Sequence, residues 1–73
     1  VALILTERED GQVDVGLRAA PGFDVAQVAL ALGGGGHPRA AGCSLTLPLE
    51  QATAQVLDAL KRSLAQQRGA LTG

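Results

Sequence analysis

The chain has 73 residues, a net charge of −1 and 47% hydrophobic content, almost all of it Ala, Val and Leu, with Phe23 the single aromatic. That composition gives one domain whose core of small aliphatics is marginal at this length and leaves room for support from a partner or a second copy. It excludes a globally basic nucleic-acid binder, a membrane-spanning helix or signal peptide and, with Cys43 alone, an intrachain disulfide, which points to a reducing, cytoplasmic setting.

The apolar run from Val1 to Leu5 is strand-like, and with no initiator methionine it reads as the start of a piece of a longer protein. Asp10-Gly11 marks a hairpin turn. From Gln12 to Arg18 the pattern alternates, with Val13, Val15 and Leu17 to one side and Asp14, Gly16 and Arg18 to the other. Pro21-Gly22 is a turn, and Asp24 is placed to cap a helix running to about Leu32, with Val25, Val28, Ala29 and Leu32 on one face. Gly33 fits a left-handed helix cap.

A third strand is expected from Ala41 to Leu47, with Cys43 turned inward as a small hydrophobe. Pro48 suits the first position of a second helix, whose apolar stripe is Leu49, Ala52, Val56, Leu57, Leu60 and Leu64. The expected order is therefore β-β-α-β-α, an α+β fold of two layers with a small mixed sheet and two helices. The connection over 19–42 is long enough for a parallel crossover. The domain is expected over 1–68, with fraying from Gln66 and a disordered tail at 69–73.

The segment Gly33-Gly34-Gly35-Gly36-His37-Pro38-Arg39-Ala40-Ala41-Gly42 carries the chemistry. Five of the ten glycines fall in it, beside the only histidine. Such a run costs folding entropy, so it points to a loop where backbone must approach a ligand closely. No acidic residue lies between Asp24 and Glu50, so His37 and Arg39 sit in an acid-free stretch hospitable to an anion. Neither common phosphate loop fits. A dinucleotide fingerprint would place its third glycine on Pro38 or Arg39, and the triphosphate loop needs a lysine that is absent here. The plainer readings are a linker for the glycines, a turn-capping role for His37, and for Arg18 a solvated charge or a pair with Asp14.

The glycine-histidine segment, preceded by Val28-Ala29-Leu30-Ala31-Leu32, resembles the signature of the DHH-associated domain, the C-terminal substrate-binding domain of DHH-family phosphoesterases. Val13-Asp14-Val15-Gly16-Leu17-Arg18 is similar to that family's strand ending in Ser-Leu-Arg-Ser, and the resemblance covers roughly residues 1 to 62. The family includes RecJ-type exonucleases, oligoribonucleases that also dephosphorylate 3′-phosphoadenosine 5′-phosphate, and cyclic-dinucleotide phosphodiesterases.

The resemblance implies a parent hydrolase acting on short oligonucleotides or nucleotide phosphates. Its catalytic metals, usually Mn²⁺, would be held by an N-terminal DHH domain whose motifs are not in this chain. No catalytic or metal-binding residue is expected here, and the chain alone is expected to be inactive. His37 would face a scissile or terminal phosphate, Arg18 would pair with a phosphate, and the amides of Gly34, Gly35 and Gly36 would line the pocket. Arg39 is either a nucleic-acid contact or a solvated edge charge. Gly16 and Ala19 stand where the family has serines, which bears on substrate preference. The rival reading is a non-catalytic nucleic-acid-binding or assembly module, as in related domains of alanyl-tRNA synthetases and of proteins with CBS or nucleotidyltransferase domains.

Overall fold

The computed structural model describes the backbone of residues 1–72 and side chains through Arg68. The elements are β1 (Ala2–Glu7), β2 (Val13–Arg18), α1 (Val25–Ala31), β3 (Gly35–His37), β4 (Ala40–Leu45) and α2 (Leu49–Thr72). The α+β class and the two layers are as expected. Two corrections concern the sheet. It has four strands, in the order β1-β2-β4-β3, and it is antiparallel throughout rather than mixed. The added strand is the glycine segment itself, which folds back on β4 instead of standing free as a loop.

Local chemistry accounts for the turns. Gly11 takes φ +86° in the β1–β2 hairpin, where the Arg8 amide bonds the Gln12 carbonyl at 2.7 Å. Asp24 caps α1 by accepting from the Ala26 amide at 2.8 Å. At the other end of α1, Gly33 takes φ +86°, its amide bonds the Leu30 carbonyl at 3.1 Å, and the Gly34 amide bonds the Ala29 carbonyl at 2.7 Å. This paired closure is the Schellman motif. Pro38 and Arg39 then form the two-residue turn between β3 and β4. Pro38 fixes the first corner, and Arg39 has no positive φ, which excludes a type II turn.

Val13, Val15 and Leu17 of β2 form the centre of the core with Val25, Val28 and Ala29 of α1, Leu45 of β4, and Ala52 and Val56 of α2. Both helices cover this one face of the sheet. The packed stripe of α2 is rotated from the expected one. Ala52, Val56 and Ser63 are buried and Ala59 and Leu60 partly so, whereas Leu49 and Leu57 are 37% and 41% exposed. Small residues at Ala52, Ala59 and Ser63 let the helix lie close to its neighbours, which turns the bulkier Leu57 aside.

Nor does order end at Gln66. Gln67 accepts from the Asp24 amide at 2.9 Å and donates to the Asp24 carbonyl at 3.0 Å and to Ser63 Oγ at 3.0 Å. The last turns of α2 thereby hold the N-cap of α1. The tail expected at 69–73 falls on residues whose side chains lie outside the description, with the backbone described to Thr72. Gln67→Ala removes all three bonds and leaves part-buried groups of Asp24 unpaired. It is expected to cost about 1–3 kcal/mol in urea unfolding, whereas Gln66→Ala, on the exposed side, should change stability little.

Candidate functional site

The face of the sheet opposite the helices is uncovered. In an antiparallel sheet, residues directly opposite one another project to the same side. The register pairs Ala40 with Arg18 across β2 and with His37 across β3. Arg18 and His37 therefore share the open face, two strand spacings or about 10 Å apart at the backbone. Both are exposed. The next row on this face is Ile4, Gly16, Gly42 and Gly35, and the row beyond is Thr6, Asp14 and Ser44. One end of the face is cationic, the middle is bare backbone except at Ile4, and the far end is polar.

The turn that carries His37 is pinned. The Pro38 carbonyl accepts from the Val25 amide at 2.9 Å, and the Arg39 carbonyl accepts from the Ala19 amide at 3.1 Å. His37 Nδ1 accepts from the Arg39 amide in a long 3.4 Å bond. That bond places the ring proton on Nε2 and leaves Nε2–H as the donor for a ligand. Arg18 does not pair with Asp14. The Asp14 Oδ1 atom is taken by Ser44 Oγ at 2.8 Å and by Arg8 at 3.5 Å. Among the described residues Arg18 makes no ion pair. Arg39 sits exposed at the second corner of the turn, beyond the Arg18–His37 row.

The glycines divide into two groups. A Cβ at Gly34 would fall 2.2 Å from the Gly42 carbonyl oxygen and 2.5 Å from Cys43 Cβ. At Gly36 (φ +143°) it would meet the Ala41 Cα at 2.7 Å, and at Gly42 the Val15 carbonyl oxygen at 2.6 Å. These three are demanded by packing, and Gly33 by its φ. Gly35 differs: its φ is ordinary and a Cβ there meets nothing within 4 Å. Gly16 is similar, with Ile4 no nearer than 3.8 Å. Both lie in the bare middle row.

The amides divide in the same way. That of Gly34 is already bonded to Ala29, and those of Gly35 and His37 face β4 by the alternation of the ladder that Ala19–Arg39 continues. Of the three glycine amides expected to line a pocket, that of Gly36 alone is turned to the free edge.

Among the described residues, no group of three His, Cys, Asp or Glu side chains comes together. His37 has no carboxylate or second imidazole with which to hold a metal ion, so any catalytic metal acting at this face needs ligands from elsewhere. Also among the described residues, no helix is long and apolar enough to cross a membrane.

A concavity of about 680 Å³ lies between the helices, lined by Gln27, Leu30, Asp58, Arg62 and Gln66 among others. Arg62 there is already paired with Asp58 at 3.1 Å. The groove is lined by the helices, on the opposite side of the sheet from the face that carries Arg18 and His37.

The model of the DHHA1 domain family matches residues 1–66. The chain belongs to the DHHA1 domain family. A curated relative from Thermus thermophilus, named bifunctional oligoribonuclease and PAP phosphatase NrnA, is 43% identical over 67 residues, which is 90% of this chain and 20% of the relative. The chain thus spans about a fifth of the length of the relative it matches.

Two outcomes follow for the DHHA1 domain. Gly34→Ala and Gly36→Ala should each destabilise it by about 1–3 kcal/mol or more through overpacking, whereas Gly35→Ala should leave the melting temperature nearly unchanged. Burial raises the pKa of the Cys43 thiol, so at neutral pH its thiolate fraction falls below that of a free cysteine. Iodoacetamide should label it markedly more slowly in the native domain than in urea.

Proposed function

We propose that this DHHA1 domain is the substrate-gripping half of a DHH-family phosphoesterase that acts on short oligonucleotides or nucleotide phosphates. Arg18 and His37 hold a phosphate of the substrate on the open face, Arg18 as a charged fork and His37 through Nε2–H. The edge amide of Gly36 is a further donor, and Arg39 adds positive potential at the same end. Hydrolysis itself belongs to a separate DHH domain, where Mn²⁺ held by its Asp and His side chains would supply the nucleophile. The present domain contributes position and charge neutralisation. The setting for such a protein is cytoplasmic.

The observation that carries this reading is the bareness of Gly35. The chain's own packing does not require glycine there, yet a side chain would stand beside Arg18 and His37 on the uncovered face. A surface kept clear for no internal reason is a surface approached from outside. The exposure of Arg18 and His37 agrees with the same reading, since a second surface closing over them would enclose the substrate. The family membership and the relative's printed activities agree with phosphate chemistry.

The test uses the full-length protein that carries the domain. His37→Ala should lower kcat/KM on a 5′-phosphorylated dinucleotide by about ten- to a hundredfold, the equivalent of losing one charge-assisted hydrogen bond of about 1.5–3 kcal/mol. Gly35→Leu should do the same while leaving the thermal melt near wild type. Unchanged kinetics in both variants would remove the open face as the substrate site. The 73-residue chain alone should show no turnover with Mn²⁺.

A further inference from the structure

The turn that pins His37 also carries Arg39, and the two arginines at this end of the sheet stand apart from Arg8 and Arg62. Arg8 is held by Asp10 at 3.0 Å and Arg62 by Asp58 at 3.1 Å. Arg18 and Arg39 make no ion pair among the described residues, and both are exposed. Asp24, which precedes the amide bonded to the turn, gives its Oδ1 to the Ala26 amide. Like charges brought together repel, and neither arginine belongs to the core. The fold thus gathers two uncompensated cations at one place with no gain to its own packing.

Main-chain bonds fix where Arg39 stands. Its carbonyl accepts from the Ala19 amide at 3.1 Å, and its amide donates to His37 Nδ1 at 3.4 Å. Its neighbour Ala40 is the register partner of both Arg18 and His37. Arg39 therefore lies one residue past the Arg18–His37 row, about 6 Å from Arg18 at the backbone by strand spacing and rise. An anion held by Arg18 and His37 together lies between them, over Ala40. Arg39 stands outside that row, at the rim of the sheet, with its guanidinium uncommitted. Phosphates on the 5′ and 3′ oxygens of one ribose are separated by a similar distance. The arrangement offers two anion positions rather than one, a sugar's width apart.

We propose that Arg39 is a second phosphate subsite: it holds the phosphate across the ribose from the one that Arg18 and His37 hold, and so selects nucleotides phosphorylated on both sides of one sugar. This deepens the phosphate site proposed above and rests on it. A guanidinium suits the role, because its donors form a rigid fork that meets phosphate oxygens in pairs and its charge does not titrate. Both substrate classes of the proposed function can carry the feature. A 5′-phosphorylated dinucleotide has it at its first ribose, and a nucleoside 3′,5′-bisphosphate has it at its single ribose. A nucleoside 5′-monophosphate lacks it. The recognition is of sugar and phosphate, and any base satisfies it.

The test is initial-rate inhibition of the full-length protein by adenosine 3′,5′-bisphosphate and by 5′-AMP, against one dinucleotide substrate. In the wild type the bisphosphate should bind at least fivefold more tightly than AMP. Arg39→Gln, whose thermal melt confirms folding, should weaken the bisphosphate by about fivefold, the upper end of the effect of an exposed ion pair. It should leave AMP within twofold of the wild type. His37→Ala should weaken both nucleotides by a similar factor and preserve their ratio. A wild-type ratio near one, a ratio that survives Arg39→Gln, an equal loss for both nucleotides in that variant, or no inhibition by either at millimolar concentration would overturn the second subsite. The phosphate site fails separately: it falls if His37→Ala leaves both inhibition constants and the dinucleotide kinetics unchanged.

Discussion

Two backbone carbonyls hold together the edge of this domain that carries Arg18 and His37. The Pro38 carbonyl receives the first amide of α1, and the Arg39 carbonyl receives the amide just beyond β2. The turn between them is therefore fixed to the end of the strand that carries Arg18 and to the start of the helix that leads into β3. Arg18 and His37 are 19 positions apart in the sequence, yet their relative placement is set by hydrogen bonds of main chain to main chain. Such bonds survive most side-chain replacements, so the geometry of the edge depends little on the residues that decorate it.

That arrangement is open only to a glycine-rich segment. The chain leaves α1 through a left-handed residue, passes β4 at a distance that admits no Cβ at Gly34, and turns through Gly36 at φ +143°. A glycine run is easily taken for a row of amides offered to an anion. Here most of that backbone is used internally: Gly33 and Gly34 close the helix, and Gly35 pairs with β4. What the segment presents is chiefly absence of bulk, beside the Arg18 guanidinium and the His37 imidazole.

Much of this was legible in the residues. Alternation at Val13, Val15 and Leu17, the Asp24 cap and the Gly33 stop are local signals, and each recurs in the structure as read. The family motif pointed to Arg18 and His37, and the register brings both to one face. The strand at Gly35–His37 was not legible, because glycine has low strand propensity and its pairing depends on β4 lying alongside. The antiparallel order was hidden for the same reason: a long connection permits either direction, and contacts of the Pro38–Arg39 turn decide it. Gln67 gave no signal at all. A polar residue near a helix end reads as solvated, and its partner Asp24 lies 43 positions away. Asp14 was visible as a charge on the Arg18 side, but its bond to Ser44 becomes apparent only once β2 and β4 are paired.

The exposure of Arg18 and His37 sets the physical terms on which the open face could hold an anion. Arg18 and His37 are exposed, so a phosphate that meets them does so in water, where ion pairs contribute little and salt screens them. The same contacts strengthen when a second surface excludes solvent, because the effective dielectric falls around charges already in place. A face whose Arg18 and His37 backbones are placed by main-chain ties and whose middle is bare therefore binds an anion weakly when open and more strongly when covered. On the function proposed above, that difference would place tight binding at the moment of closure, when substrate, positioning groups and a catalytic domain come together. A deep pocket within the domain would hold the phosphate before closure and lose that coupling.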